Sequence, residues 1–283
     1  MNKKLALTVT STLASLLIVT GCAQKSETKT EEKKDSDNKI TLTYDQLRSR
    51  ENTMSTLWYQ NSAEVKALYL QGYNIATTRM KELLKIPTEK PYSIVLDLDE
   101  TVLDNSPYQV QNVKDGTAFN PENWDKWVQK AEAKPVAGAK EFLQFCDKNK
   151  VQIYYISDRT DAQVDATIKN LEAQGIPVQG RDHIMLKKDS DKTKEGRREE
   201  VRKHTNLVML FGDNLVDFID FSKTSVSDRE KQLEEVKNEF GEKFIMFPNP
   251  MYGSWESAIY KGEKKDAKGQ SDTRMDTLQG YTK

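Results

Sequence analysis

Four short apolar runs, each ending in a polar turn, constrain this chain most: Tyr92–Leu96, Val151–Ile156, Leu207–Phe211 and Phe244–Phe247. Runs of this length read as buried strands. The stretches between them carry helical spacing. Glu122–Ala133 places Trp124, Trp127 and Val128 at i, i+3 and i+4, and Asp161–Gln174 sets Val164, Ile168 and Leu171 on one helical face. Ala139–Lys148 reads as a packed helix that buries the Cys146 thiol. Strands alternating with helices predict an α/β domain with a mostly parallel sheet. Ahead of the first strand, Tyr44–Leu84 is helix-prone, with Trp58, Val65, Leu68, Tyr69, Tyr73, Ala76, Met80 and Leu83 near 3.6 spacing. It predicts about two helices forming a smaller helical layer, the stripe being a packing face.

Charge adds an exclusion. Lys and Arg total 43 and Asp and Glu 44, a net charge of -1, which gives no electrostatic basis for a nucleic-acid partner. Two cysteines, Cys22 and Cys146, do not make a disulfide framework.

The N-terminus predicts the compartment. Met1–Lys4 is basic and Leu5–Val19 is apolar apart from Thr and Ser, the shape of a secretory signal too short for a spanning helix. It closes in Val19-Thr20-Gly21-Cys22, which resembles a bacterial lipobox, so residues 1–21 are expected to be removed and Cys22 to be diacylated. Two acyl chains hold a protein firmly at about 0.8 kcal/mol per buried CH₂. Residues 22–40 then form a lipidated, solvated tether, 41–265 the folded domain and 266–283 a polar, loosely ordered tail.

The chemistry-bearing residues stand at the carboxyl ends of the strands, where open α/β sheets build their sites. After the first strand comes Asp97-Leu98-Asp99-Glu100-Thr101, after the second Ser157-Asp158-Arg159, and after the third Gly212-Asp213-Asn214-Leu215-Val216-Asp217. Between the second and third lies a basic stretch from Lys187 through Lys192 and Lys194 to Arg198. One carboxylate can attack a phosphoryl group while a second gives and takes the proton. Asp97 and Asp99, two apart, suit that pair. Their mutual repulsion calls for Mg²⁺, with oxygen ligands from Asp97 and Asp213. Lys194 would offset further charge, and the Ser157 hydroxyl would donate to a phosphoryl oxygen.

Together these segments resemble the haloacid dehalogenase (HAD) superfamily, and within it the class C acid phosphatases, a family of bacterial surface lipoproteins. The resemblance spans about Tyr44 to Tyr260. It implies a Rossmann-like parallel sheet flanked by helices, with a helical cap. It also implies Asp97 as nucleophile, Asp99 as acid/base, Ser157 as phosphate ligand and Lys194 as the motif lysine, although Lys187 and Lys192 lie close enough to share that assignment. The implied Mg²⁺ ligands are Asp97, the Asp99 backbone carbonyl and Asp213, with Asp217 in support. Trp124 and Tyr252 fall where nucleotide-cleaving members sandwich a nucleobase. The expected activity is therefore a phosphomonoesterase of 5'-nucleotidase type, lipid-anchored on the extracytoplasmic face of the cell membrane, with a homodimer admitted. Two alternatives stand beside it: a phosphotransferase sharing the covalent intermediate, and a non-catalytic lipoprotein that captures haem or another ligand. Against haem, His183 and His204 are the two histidines and both lie in charged sequence surroundings, which leaves tyrosines as the other ligands that iron could take.

Overall fold

In the computed structural model, residues 39–221 and 225–281 are described. The expected signal segment, Cys22 and the expected tether up to residue 38 lie outside them. The chain opens with three helices, α1 (Tyr44–Glu51), α2 (Thr53–Asn61) and α3 (Ala63–Leu83). There are three rather than two because polar residues punctuate the run. Thr43 and Gln46 form a capping box at α1, and the Ser62 hydroxyl caps α3 by accepting from the Val65 amide. Val65, Tyr69, Tyr73, Ala76 and Met80 form the buried face of α3, whereas Trp58 and Leu68 of the same apolar series are exposed.

The chain continues through β1 (Tyr92–Leu96), β2 (Leu103–Asp104), α4 (Ser106–Asp115), α5 (Pro121–Lys130), β3 (Lys134–Pro135), α6 (Ala139–Lys148), β4 (Gln152–Thr160), α7 (Val164–Ala173), β5 (Ile184–Lys187), α8 (Glu195–His204), β6 (Asn206–Gly212), α9 (Val226–Val236), β7 (Phe244–Met246), α10 (Ser254–Ile259) and α11 (Ala267–Thr277). Five strands form one parallel sheet in the order β5-β4-β1-β6-β7. β2 and β3 make a small antiparallel ribbon beside it. The central strand explains its own composition. Ile94 and Leu96 enter the core beneath α3 and α6, while Val95 points to the opposite face, against Val201, Phe218 and Phe244. A strand covered on both faces is apolar throughout. Tyr69 and Tyr73 stack on Phe247, and this contact needs Gly72: a Cβ there would stand 2.5 Å from the Phe247 ring.

Two expectations are corrected. The C-terminal residues are not a loose tail. Asp266 caps α11 by accepting from the Gly269 amide, and α11 packs on α1. Arg274 pairs with Glu51 at 2.6 Å, and Arg48 donates to Gln270 at 3.0 Å. His183 is not in polar surroundings either. Its ring is buried and stacks on Tyr154 with centroids 4.1 Å apart, and Nδ1 lies 2.8 Å from the Ile153 carbonyl.

Candidate active site

Because all five strands run parallel, the loops after β1, β4, β6 and β7 meet at one edge of the sheet. Asp97 is the first residue past β1, with its amide donating to the Phe211 carbonyl of β6 at 3.0 Å. Its Oδ1 accepts from Lys194 Nζ at 2.5 Å and its Oδ2 from the Asp99 amide at 3.1 Å. Lys194 Nζ also donates to Asp217 Oδ1 at 2.6 Å. Of the three neighbouring lysines, Lys194 is thus the one in the site; Lys187 and Lys192 are exposed. Asp213 follows β6, accepting from Thr101 Oγ1 at 3.3 Å and from Asn249 Nδ2 at 2.8 Å. Asp217 folds back over Gly212, where a Cβ would lie 2.3 Å from the Asp217 side chain, so only glycine permits the fold-back.

Carboxylate oxygens of Asp97, Asp213 and Asp217 lie within 4.8 Å of one another, all buried. Three carboxylates face one ammonium. Burial pushes the Asp97 carboxyl well up, against the pull of Lys194. Burial, then the Asp217 charge, pushes Asp213 up to about 7. Burial alone would lower Lys194, but the Asp217 and Asp97 carboxylates outweigh it and hold its pKa above the ordinary value. Three hard oxygen donors with excess negative charge fit a divalent cation, which would be held by Asp97, Asp213 and Asp217. Unfolded Asp213 loses its proton near 3.8 and folded Asp213 near 7, so its contribution to stability declines as pH rises through that window. A cation competes with those protons. The rise in Tm on adding Mg²⁺ is expected to be larger at pH 8 than at pH 5; an equal rise at both would separate cation binding from these acids.

Asp99 stands apart from this triad. Arg159 of β4 grips its carboxylate, with Nη2 2.7 Å and Nε 3.0 Å from Oδ1, and Asn105 Nδ2 donates to the same oxygen at 2.7 Å. The Ser157 hydroxyl lies 3.4 Å from Oδ2 and accepts from the Arg159 amide at 3.1 Å. Arg159 and Asn105 carry no role in the motif-based expectations, since their importance rests on contacts across the fold. The basic run is not a solvated face. Arg197 donates to the Ser157 carbonyl at 2.6 Å, and Arg198 to the Asp217 carbonyl at 2.9 Å, both side chains being buried. They fix the end of β4 and the segment after β6, both of which carry site residues.

The loop between β1 and β2 turns sharply at Glu100, whose φ of 56° is in the left-handed region. Tyr69 donates to the Glu100 carbonyl at 2.5 Å and Tyr73 to the Thr101 carbonyl at 2.7 Å, so α3 pins this turn from below. The buried Glu100 carboxylate accepts from the Asn105 amide at 2.8 Å and from the Tyr252 hydroxyl. Asp97, Asp99, Ser157, Lys194, Trp124 and Tyr252 all line one cleft of about 960 Å³. Trp124 is half-buried, edge-on to Tyr108 at 5.2 Å and 5.7 Å from the Arg159 guanidinium. Neither histidine lines this cleft.

A five-stranded parallel sheet with a D-x-D turn after its central strand and further acids past β6 defines a HAD-like α/β protein. The family description "HAD superfamily, subfamily IIIB (Acid phosphatase)" matches residues 14–255, and the chain belongs to that family. It is an acid phosphatase, a phosphomonoester hydrolase. The chain is similar to the class C acid phosphatase from Bacillus anthracis at 47% identity and a TM-score of 0.80, over 83% of this chain and 99% of that one. A second structure of a Bacillus anthracis class C acid phosphatase, with tungstate bound, gives 47% and 0.80 over 84% of this chain and 100% of the other.

Proposed function

We propose that the chain is a Mg²⁺-dependent, lipid-anchored phosphatase that cleaves nucleoside monophosphates through an aspartyl-phosphate on Asp97. The observation that carries this is the placement of Asp97: buried at the cleft floor, tied to Lys194, and two residues from an independently held carboxylate. Tungstate is a tetrahedral oxyanion like phosphate, and its presence in a similar enzyme supports an oxyanion site here.

In the proposed reaction an Asp97 oxygen attacks phosphorus and the bond from phosphorus to the ester oxygen breaks. Asp99 gives its proton to that leaving oxygen. Water then attacks the acyl-phosphate, Asp99 takes the proton, and phosphate leaves with Asp97 restored. Ser157 Oγ and Lys194 Nζ hold phosphoryl oxygens, Lys194 having been placed by Asp217. Bound Mg²⁺ would supply charge neutralisation between the carboxylates and the phosphoryl group. The ion would be held by the Asp97, Asp213 and Asp217 carboxylates, with the Asp99 backbone carbonyl as the further ligand that the family resemblance implies, the Asp99 carboxylate being paired with Arg159.

Trp124 and Tyr252 are proposed to bracket the nucleobase. Both line the acid cleft, and the Tyr252 ring is steadied through its hydroxyl by Glu100. Stacking contributes roughly 1–3 kcal/mol per base. The test is phosphate release from a nucleoside monophosphate and from a small alkyl phosphate, with and without Mg²⁺. Chelation should abolish release from both. Trp124→Ala and Tyr252→Ala should lower kcat/KM about 5- to 100-fold on the nucleotide and little on the alkyl ester. Equal losses on both esters would assign the rings to packing.

Anchoring is proposed through Cys22, on the lipobox alone. No helix among the described residues is long and apolar enough to cross a membrane. Cys22→Ala is expected to move the protein out of the membrane fraction with its activity kept; unchanged attachment of a processed variant would refute the anchor.

A further inference from the structure

Arg159 holds Asp99 with a side chain that is itself held from behind. The side chain is buried, and all three of its nitrogens are committed. Nε and Nη2 grip the Asp99 carboxylate, and Nη1 donates to Thr167 Oγ1 at 3.0 Å. Thr167 is a fully buried residue of α7, so the fork is braced from behind by a fixed element. A planar fork held at its far end cannot follow a carboxylate that rotates. It dictates one orientation.

The two Asp99 oxygens are treated unequally. Oδ1 accepts from Arg159 Nη2 at 2.7 Å, from Arg159 Nε at 3.0 Å and from Asn105 Nδ2 at 2.7 Å. Three donors fill the lone-pair space of that oxygen. Oδ2 has only long contacts, to Arg159 Nε at 3.2 Å and to Ser157 Oγ at 3.4 Å. Asn105 is itself immobilised, since its Oδ1 accepts from Trp127 Nε1 at 2.7 Å and its amide donates to Glu100. A carboxyl with one oxygen saturated and the other loosely held has a single oxygen on which to carry a proton.

We propose that Arg159 is a positioning residue that selects Asp99 Oδ2 as the proton-carrying oxygen, locking Oδ1 and turning Oδ2 towards the Ser157 hydroxyl. The assignment rests on Asp99 being the acid/base. No bond is made to Arg159 itself; the proton passes from Oδ2 to the leaving oxygen and returns to Oδ2 from water. The consequence is a dependence on the leaving group. An alkoxide cannot depart without a proton, whereas 4-nitrophenolate can, so misaligning Asp99 should damage hydrolysis of an alkyl phosphate far more than that of 4-nitrophenyl phosphate.

The experiment measures kcat/KM on both esters at saturating Mg²⁺ for the full chain and three variants. Asp99→Asn comes first and tests the underlying assignment: near-normal alkyl ester hydrolysis would refute the acid/base role itself. Arg159→Met is expected to lower the alkyl ester on the order of 100-fold and the aryl ester less than about 10-fold, within the range positioned proton transfer supplies. Arg159→Met empties a buried ion pair and can compromise folding. Thr167→Val removes only the brace at Nη1, and it should show the same selectivity at roughly 3- to 10-fold on the alkyl ester. With Asp99→Asn inactive, equal losses on the two esters in Thr167→Val or soluble Arg159→Met, or no loss, would overturn the positioning role alone.

Discussion

Asp97→Asn is expected to give a folded protein whose phosphate release has fallen at least ~10⁴-fold on every ester, because an amide cannot form the acyl-phosphate. The fold should tolerate the change. One of three crowded buried carboxylates is neutralised, and Lys194 keeps its partner Asp217. The amide oxygen can retain one of the two contacts made by the carboxylate, to Lys194 Nζ or to the Asp99 amide. Thermal unfolding should therefore stay within a few degrees of the parent. Substantial turnover in soluble Asp97→Asn protein would dismiss the covalent route, whereas collapse of the fold would show Asp97 to be part of the scaffold.

The second large effect belongs to Lys194→Met, and it is felt first in stability. The ammonium is buried between Asp97 and Asp217, with the Asp213 carboxylate close by. Removing one partner of a buried ion pair destabilises by about 3–5 kcal/mol, because the carboxylates left behind are neither solvated nor neutralised. The deficit should depend on pH. Asp213 is already pushed up to about 7 and Asp97 well up from its usual range, so acidification neutralises the acids that Lys194 no longer balances. The Tm difference between parent and variant is expected to be larger at pH 8 than at pH 5. It should also shrink on adding Mg²⁺ or on combining Lys194→Met with Asp217→Asn. A deficit that ignores both pH and cation would show that the aliphatic stem, not the charge, carries the effect.

How much of this is legible in the chain depends on which force writes each feature. β1 and β6 follow from continuous apolar runs because both of their faces are covered, and the observed bounds differ from the runs by at most one residue at each end. β5 escaped: Ile184–Lys187 is four residues long and set among charged neighbours. The C-terminal helix also escaped, since its stability comes from a cap at Asp266 and from pairing with α1, not from an apolar stripe. Among site residues, the acids stand out by position after strands. Lys194 could not be separated from Lys187 and Lys192 by spacing; burial separates them. Arg159 and Asn105 carry no signature by themselves. Their meaning lies in which oxygen of Asp99 they hold.

The clasp between α1 and α11 bears on the order of assembly. Arg48, Ser49 and Asn52 of the first helical segment line the same cleft as the acids, and besides its nearer contact with α4 that segment is held by α11 residues more than 200 positions later. Contacts so distant along the chain pay the largest loop-closure entropy and form late. A growing polypeptide can complete the sheet, and with it every carboxylate, while one wall of the cleft still lacks the clasp from α11. The acidic groups and the full enclosure around them are thus separable in time, the carboxylates being in place before the wall beside them is fastened.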